Sequence, residues 1–137
     1  MMPRPPSSEG RELRAAEPLV LVVDDDEKNR KLARDVLRSA GLRTIEATSG
    51  SEGIAFAAEC LPDVILLDLR LPDMDGADVA RRLREEPRTA QIPVVALSAL
   101  RHAGHGERPA ASEFAGFLEK PIDVGEFPTQ VRTYCRP

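Results

Sequence analysis

Tryptophan is absent from this 137-residue chain, tyrosine occurs once and phenylalanine four times, leaving aromatics at 4%. No cluster of aromatic and basic residues exists on which bases could stack beside phosphates, and a net charge of −4 also argues against a surface built for nucleic acid. Arginine far outnumbers lysine, and Arg81, Arg82 and Arg84 form a short run. Runs of that kind are usually solvated helix faces. Cysteine is scarce: Cys60 and Cys135 lie far apart, without the spacing of a metal site. No apolar stretch is long enough to span a bilayer and no signal peptide is evident, so a cytoplasmic protein with free thiols and no membrane partner is expected.

An apolar face is also missing from the first seventeen positions, MMPRPPSSEGRELRAAE, where three prolines fall in the first six residues. Residues 1–17 are expected to be a disordered lead-in to a domain at 18–137. The rest of the chain is well supplied. With 42% hydrophobic and 31% charged residues overall, it suits one globular domain with a real core.

From Leu19 onward two textures alternate. The unbroken apolar runs LVLVV, DVILL, PVVAL and the shorter GFL suit strands buried on both faces, as parallel strands are. A weaker strand, RTIEAT, falls at 43–48, after a helix stopped at Gly41. Helical periods lie between: Leu32, Val36 and Leu37; Ile54, Ala57, Ala58 and Leu61; Val79, Ala80 and Leu83; and Val124, Phe127, Val131 and Tyr134. Five strands and up to five helices in alternation predict an α/β domain with a parallel sheet and right-handed crossovers. Pro109, with its neighbouring glycines, makes the fourth helix short or irregular. Pro128 either opens the last helix in its first turn or bends it.

Ligands of open parallel sheets bind beyond the carboxyl ends of the strands. Strand one ends in Asp24 and Asp25, strand three in Asp68, strand four in Ser98 and strand five in Lys120. Three carboxylates converging within about 4 Å would repel by roughly 4 kcal/mol per pair at a protein-like dielectric, so a cation or a proton must sit among them. Oxygen-only ligands in small number suit Mg²⁺. Lys120 adds an ammonium and Ser98 a hydroxyl donor. That set is prepared to receive a phosphoryl group, with Asp68 as nucleophile. Asp26, next in line, is most simply the cap of the first helix.

The motifs LVVDDDEKN, DVILLDLRLPDMDG, IPVVALSAL and FLEKPI, in this order and spacing, resemble those of response-regulator receiver domains of two-component signalling. The likeness runs from Leu19 to Tyr134. It implies a flavodoxin-like, doubly wound sheet of strand order 2-1-3-4-5 with helices on both faces. It also implies that Asp68 is phosphorylated by a sensor histidine kinase or histidine phosphotransfer protein, with Mg²⁺ as cofactor. Asp25 would ligate the ion directly, Asp24 largely through water, and the Arg70 backbone carbonyl would complete the protein ligands. Ser98 matches the switch hydroxyl, Phe117 the switch aromatic, and Lys120 the lysine that pairs with aspartate or phosphate. The Lys120–Pro121 bond is often cis in relatives. Output is expected through a downstream effector protein, with a phosphorylation-dependent homodimer left open.

Arg70 and Leu100 stand where relatives steer attacking water, and neither is suited to orient it, so slow autodephosphorylation is expected. Other readings fare worse. A dehalogenase-like phosphatase needs an acid two residues after its nucleophile, where Arg70 stands. A calcium loop at 73–76 would need acids at Leu71 and Arg82, so Asp73 or Asp75 is read as a helix cap instead. His102 and His105 lack a third ligand and are taken as solvated. A degenerate receiver acting as a phosphorylation-independent interaction module remains the alternative.

Overall fold

A computed structural model describes residues 17–98 and 114–135. The elements run β1 (Leu19–Val23), α1 (Glu27–Ser39), β2 (Arg43–Ala47), α2 (Gly50–Cys60), β3 (Val64–Asp68), α3 (Gly76–Glu85), β4 (Val94–Ser98), β5 (Gly116–Glu119) and α4 (Phe127–Tyr134). The expected fourth helix, with Leu100, His102, His105 and Pro109, lies outside the described residues, as does the lead-in up to residue 16. All strand pairs are parallel, in the order β2-β1-β3-β4-β5. The expected doubly wound, flavodoxin-like sheet is therefore present.

The unbroken apolar runs follow from burial on both faces. Leu21, Val23, Ile65, Leu67 and Ala96 point to one side, against Ala57 of α2 and Val79, Ala80 and Leu83 of α3. Val20, Val22, Val64, Leu66, Val95 and Leu97 point to the other, against Ala33 and Leu37 of α1 and Phe127 and Val131 of α4. With period-two side chains and both faces covered, no alternation with polar residues is needed. Among the described residues no helix is long and apolar enough to cross a membrane.

Local signals place the helix ends. Asp26 caps α1, accepting from the backbone N–H groups of Lys28 and Asn29. Gly41, just beyond that helix, takes a left-handed φ of +92°. Pro128 sits in the first turn of α4, so the helix opens there rather than bending.

Three apolar residues assigned to helix faces are exposed instead. Leu32 is 38% exposed because the buried stripe of α1 runs through Ala33 and Leu37. Leu61, 42% exposed, ends α2 in a left-handed conformation and turns out of its face. Val124, 57% exposed, precedes the first residue of α4.

Candidate functional site

Parallel pairing brings the carboxyl ends of the strands to one edge. There Asp24 follows β1, Asp68 ends β3, Ser98 ends β4 and Lys120 follows β5. Asp24 and Asp68 straddle the β1/β3 crevice, where the strand order reverses. The Lys120 backbone N–H donates to the Ser98 carbonyl at 2.8 Å, so the last rung of the β4–β5 ladder delivers the lysine to the crevice. Its peptide bond to Pro121 is cis.

The Lys120 ammonium reaches both central acids, at 3.2 Å from Asp24 Oδ2 and 3.3 Å from Asp68 Oδ2. The other oxygens of these carboxylates accept from backbone: Asp24 Oδ1 from Asp26 N at 2.9 Å, and Asp68 Oδ1 from Arg70 N at 3.1 Å. Asp25 is exposed at the mouth of the crevice, and one oxygen from each of Asp24, Asp25 and Asp68 lies within 4.8 Å of the others. Burial pushes the Asp68 carboxyl above its usual range and Asp24 adds to the rise; the Arg70 N–H and the Lys120 ammonium oppose it. Three carboxylates against one ammonium leave an excess of two negative charges. Oxygen-only donors with that imbalance fit a hard divalent cation.

Arg70 belongs to a loop closed on itself. The backbones of Arg70 and Asp75 pair as an isolated antiparallel β-bridge, and Gly76 N donates to the Leu69 carbonyl at 3.1 Å. A Cβ on Gly76 would come within 2.8 Å of Leu69 Cα and 3.2 Å of the Asp68 carbonyl oxygen, so only glycine lets α3 start this close to the end of β3. Asp75 occupies the cap position of α3 but makes no side-chain capping bond. Asp73 turns to another helix. Its carboxylate accepts from Gly50 N at 2.8 Å, Ser51 N at 3.0 Å and Ser51 Oγ at 2.8 Å, tying the loop to the start of α2. These donors hold Asp73 below the usual carboxylate range.

Phe117, half-buried, packs against Phe114 with ring centroids 5.4 Å apart and planes tilted by 44°. Ser98 is half-buried at the rim. The thiols are uncombined: Cys60 is exposed, while burial raises Cys135 to about 11.

One feature on the helix side escaped the sequence reading. Arg30, Arg34 and Arg38 recur every four residues along α1 and face β2. Arg30 and Arg34 share Glu46, at 3.2 and 3.0 Å, and Arg38 donates to Thr44 Oγ1 at 2.8 Å. Their i, i+4, i+8 spacing was a visible signal, but their partners lie on another element.

Fold and site together define a flavodoxin-like α/β domain with an acid–lysine crevice at its strand-order switch. A family model for the response regulator receiver domain matches residues 20–132, and the chain belongs to that family. It is 36% identical over 115 residues to the polar-differentiation response regulator DivK of Brucella ovis, covering 84% of this chain and 94% of the relative. Among solved structures, the receiver domain of a Pseudomonas aeruginosa sensor histidine kinase, with a magnesium ion coordinated in its active-site cleft, superposes with a TM-score of 0.77 at 28% identity. That match covers 86% of this chain and 97% of the other. A Francisella response-regulator receiver domain gives a TM-score of 0.76 at 29% identity, covering 86% and 96%. Receiver domains are signalling modules that interact with histidine kinases and effectors.

Proposed function

We propose that this domain is a phospho-accepting switch in which Asp68 takes a phosphoryl group from a histidine kinase or histidine phosphotransfer protein. The observation that carries the reading is the Lys120 ammonium, shared between Asp24 and Asp68, beside an Asp25 oxygen within 4.8 Å of both acids. Asp24, Asp25, Asp68 and the Arg70 carbonyl would hold Mg²⁺. Bound there, Mg²⁺ supplies positive charge that offsets the carboxylates and the transferring phosphoryl oxygens.

The chain's own groups account for the remaining chemistry. An Asp68 carboxylate oxygen forms a bond to phosphorus as the phosphorus–nitrogen bond of the donor phosphohistidine breaks, leaving an acyl phosphate and a neutral imidazole after protonation. Asp68 Oδ1 is held by the Arg70 N–H, which aims Oδ2 into the crevice. Lys120 stabilises charge on the phosphoryl oxygens, and the Ser98 hydroxyl donates to one of them. Phe117 carries the change toward the surface, where an effector protein reads it. The domain at 18–137 would act in the cytoplasm.

The test is incubation with a small-molecule phosphodonor and Mg²⁺, followed by intact-mass measurement of wild type and Asp68→Asn. Gain of one phosphoryl group by wild type alone is expected. Wild type that gains none and binds no Mg²⁺ would leave a phosphorylation-independent interaction module as the better account.

A further inference from the structure

We infer that Arg30 is a positioning residue for the cation site, acting on the backbone of the acidic pair rather than on the ion; this rests on the function proposed above. The Arg30 guanidinium donates through one terminal nitrogen to the Asp24 backbone carbonyl at 2.9 Å, and through Nε to Glu46 Oε1 at 3.2 Å. That carbonyl belongs to the peptide joining Asp24 to Asp25, the two crevice acids that follow β1. From the other side of the same residue, Asp24 N donates to the Ala47 carbonyl at 3.0 Å. The Asp24 backbone is thus held at N–H by β2 and at C=O by α1.

Glu46 makes the clamp rigid. It lies opposite Val22 in the β1–β2 register and so on the α1 side of the sheet. Its second oxygen accepts from Arg34, one helical turn along, at 3.0 Å. The Arg30 and Glu46 side chains are only 15% and 24% exposed, so the guanidinium has little freedom to leave. Outer groups that orient metal ligands commonly contribute tenfold or more to metal affinity.

Two roles for Arg30 predict opposite signs. As a mere positive charge near three carboxylates, it would weaken cation binding, and its removal would tighten Mg²⁺. As a positioning residue it strengthens binding, and its removal loosens Mg²⁺. Calorimetric titration of wild type, Arg30→Met and Arg30→Lys with Mg²⁺ separates them, because methionine keeps much of the stem without charge or donor while lysine keeps the charge on a single donor nitrogen. Expected is about a tenfold weaker affinity for Arg30→Met, with partial recovery in Arg30→Lys. Urea unfolding in EDTA identifies conditions where each variant is fully folded, so a structural role alone would shift the midpoint and leave the affinity untouched. Arg30→Met binding Mg²⁺ as tightly as wild type, or more tightly, overturns this inference alone. Wild type that binds no Mg²⁺ overturns the proposed function as well.

Discussion

Replacing the Asp68 carboxylate should make the metal-free protein more stable. At an effective dielectric of about 20, a pair of carboxylates at 4.8 Å, the largest separation within the cluster, repels by about 3.5 kcal/mol, and Asp68 faces two partners at that distance or less in Asp24 and Asp25. The Lys120 ammonium at 3.3 Å returns about 5 kcal/mol. The remainder is a penalty of about 2 kcal/mol, reduced to about 1–2 because Asp25 is exposed and screened by solvent. Asp68→Asn removes that penalty while its amide oxygen can still accept from Arg70 N. In EDTA at pH 7 the variant should therefore melt about 3–8 °C above wild type. Saturating Mg²⁺ should reverse or erase the difference, since the ion stabilises only the folded state that binds it.

The pH dependence has a definite sign. Burial raises Asp68 in the folded protein, so the folded state holds that proton more tightly than the unfolded chain. The penalty is present above the raised value and fades as pH falls through it, and the advantage of Asp68→Asn should shrink along the same limb. Thermal melts of both proteins in EDTA at descending pH measure this directly. An Asp68→Asn protein less stable than wild type in EDTA at pH 7 would refute the charge accounting.

Gly76→Ala should destabilise by about 1–3 kcal/mol in urea unfolding, because the new methyl meets the Leu69 backbone. An unchanged midpoint would mean that the loop yields freely. Asp73→Asn should lower stability at neutral pH by weakening the tether to α2. Since Asp73 is held below its ordinary value, its contribution is present above the unfolded carboxylate range and lost as pH falls through the folded value, where variant and wild type should converge in thermal melts. The acyl phosphate should outlast minutes in purified protein with Mg²⁺, because the exposed Arg70 offers no acid or amide to orient water; time-resolved intact mass giving a half-life of seconds would contradict this.

Strands β1, β3 and β4 were legible because burial on both faces leaves an unbroken apolar run, and strand ends then placed Asp24, Asp68, Ser98 and Lys120 on one edge without further assumption. Asp26 and Pro128 were legible for a different reason: capping and ring geometry act within a few residues. Helix faces were less secure. The periods at Leu61 and Val124 ran past the true ends of α2 and before the start of α4, where both side chains are exposed. Asp75 or Asp73 was the expected cap of the helix that follows; Asp75 takes the position, without a side-chain bond, while the Asp73 carboxylate serves residues 22 and 23 positions earlier. Local spacing carries no information about such a contact, nor about Glu46 reaching back to Arg30 across 16 positions.

The arginine row on α1 also bears on self-association. β2 is an edge strand, and an open parallel edge can recruit another chain through its unpaired backbone. Here the edge carries Arg43 and Glu46, and three guanidinium groups from α1 lie along one of its sides. A second copy adding a strand at β2 would have to bury or displace these charges. The same ladder that fastens the start of α1 to β1 and β2 thus sets a row of charge beside this edge of the sheet, against which any further strand would have to pack.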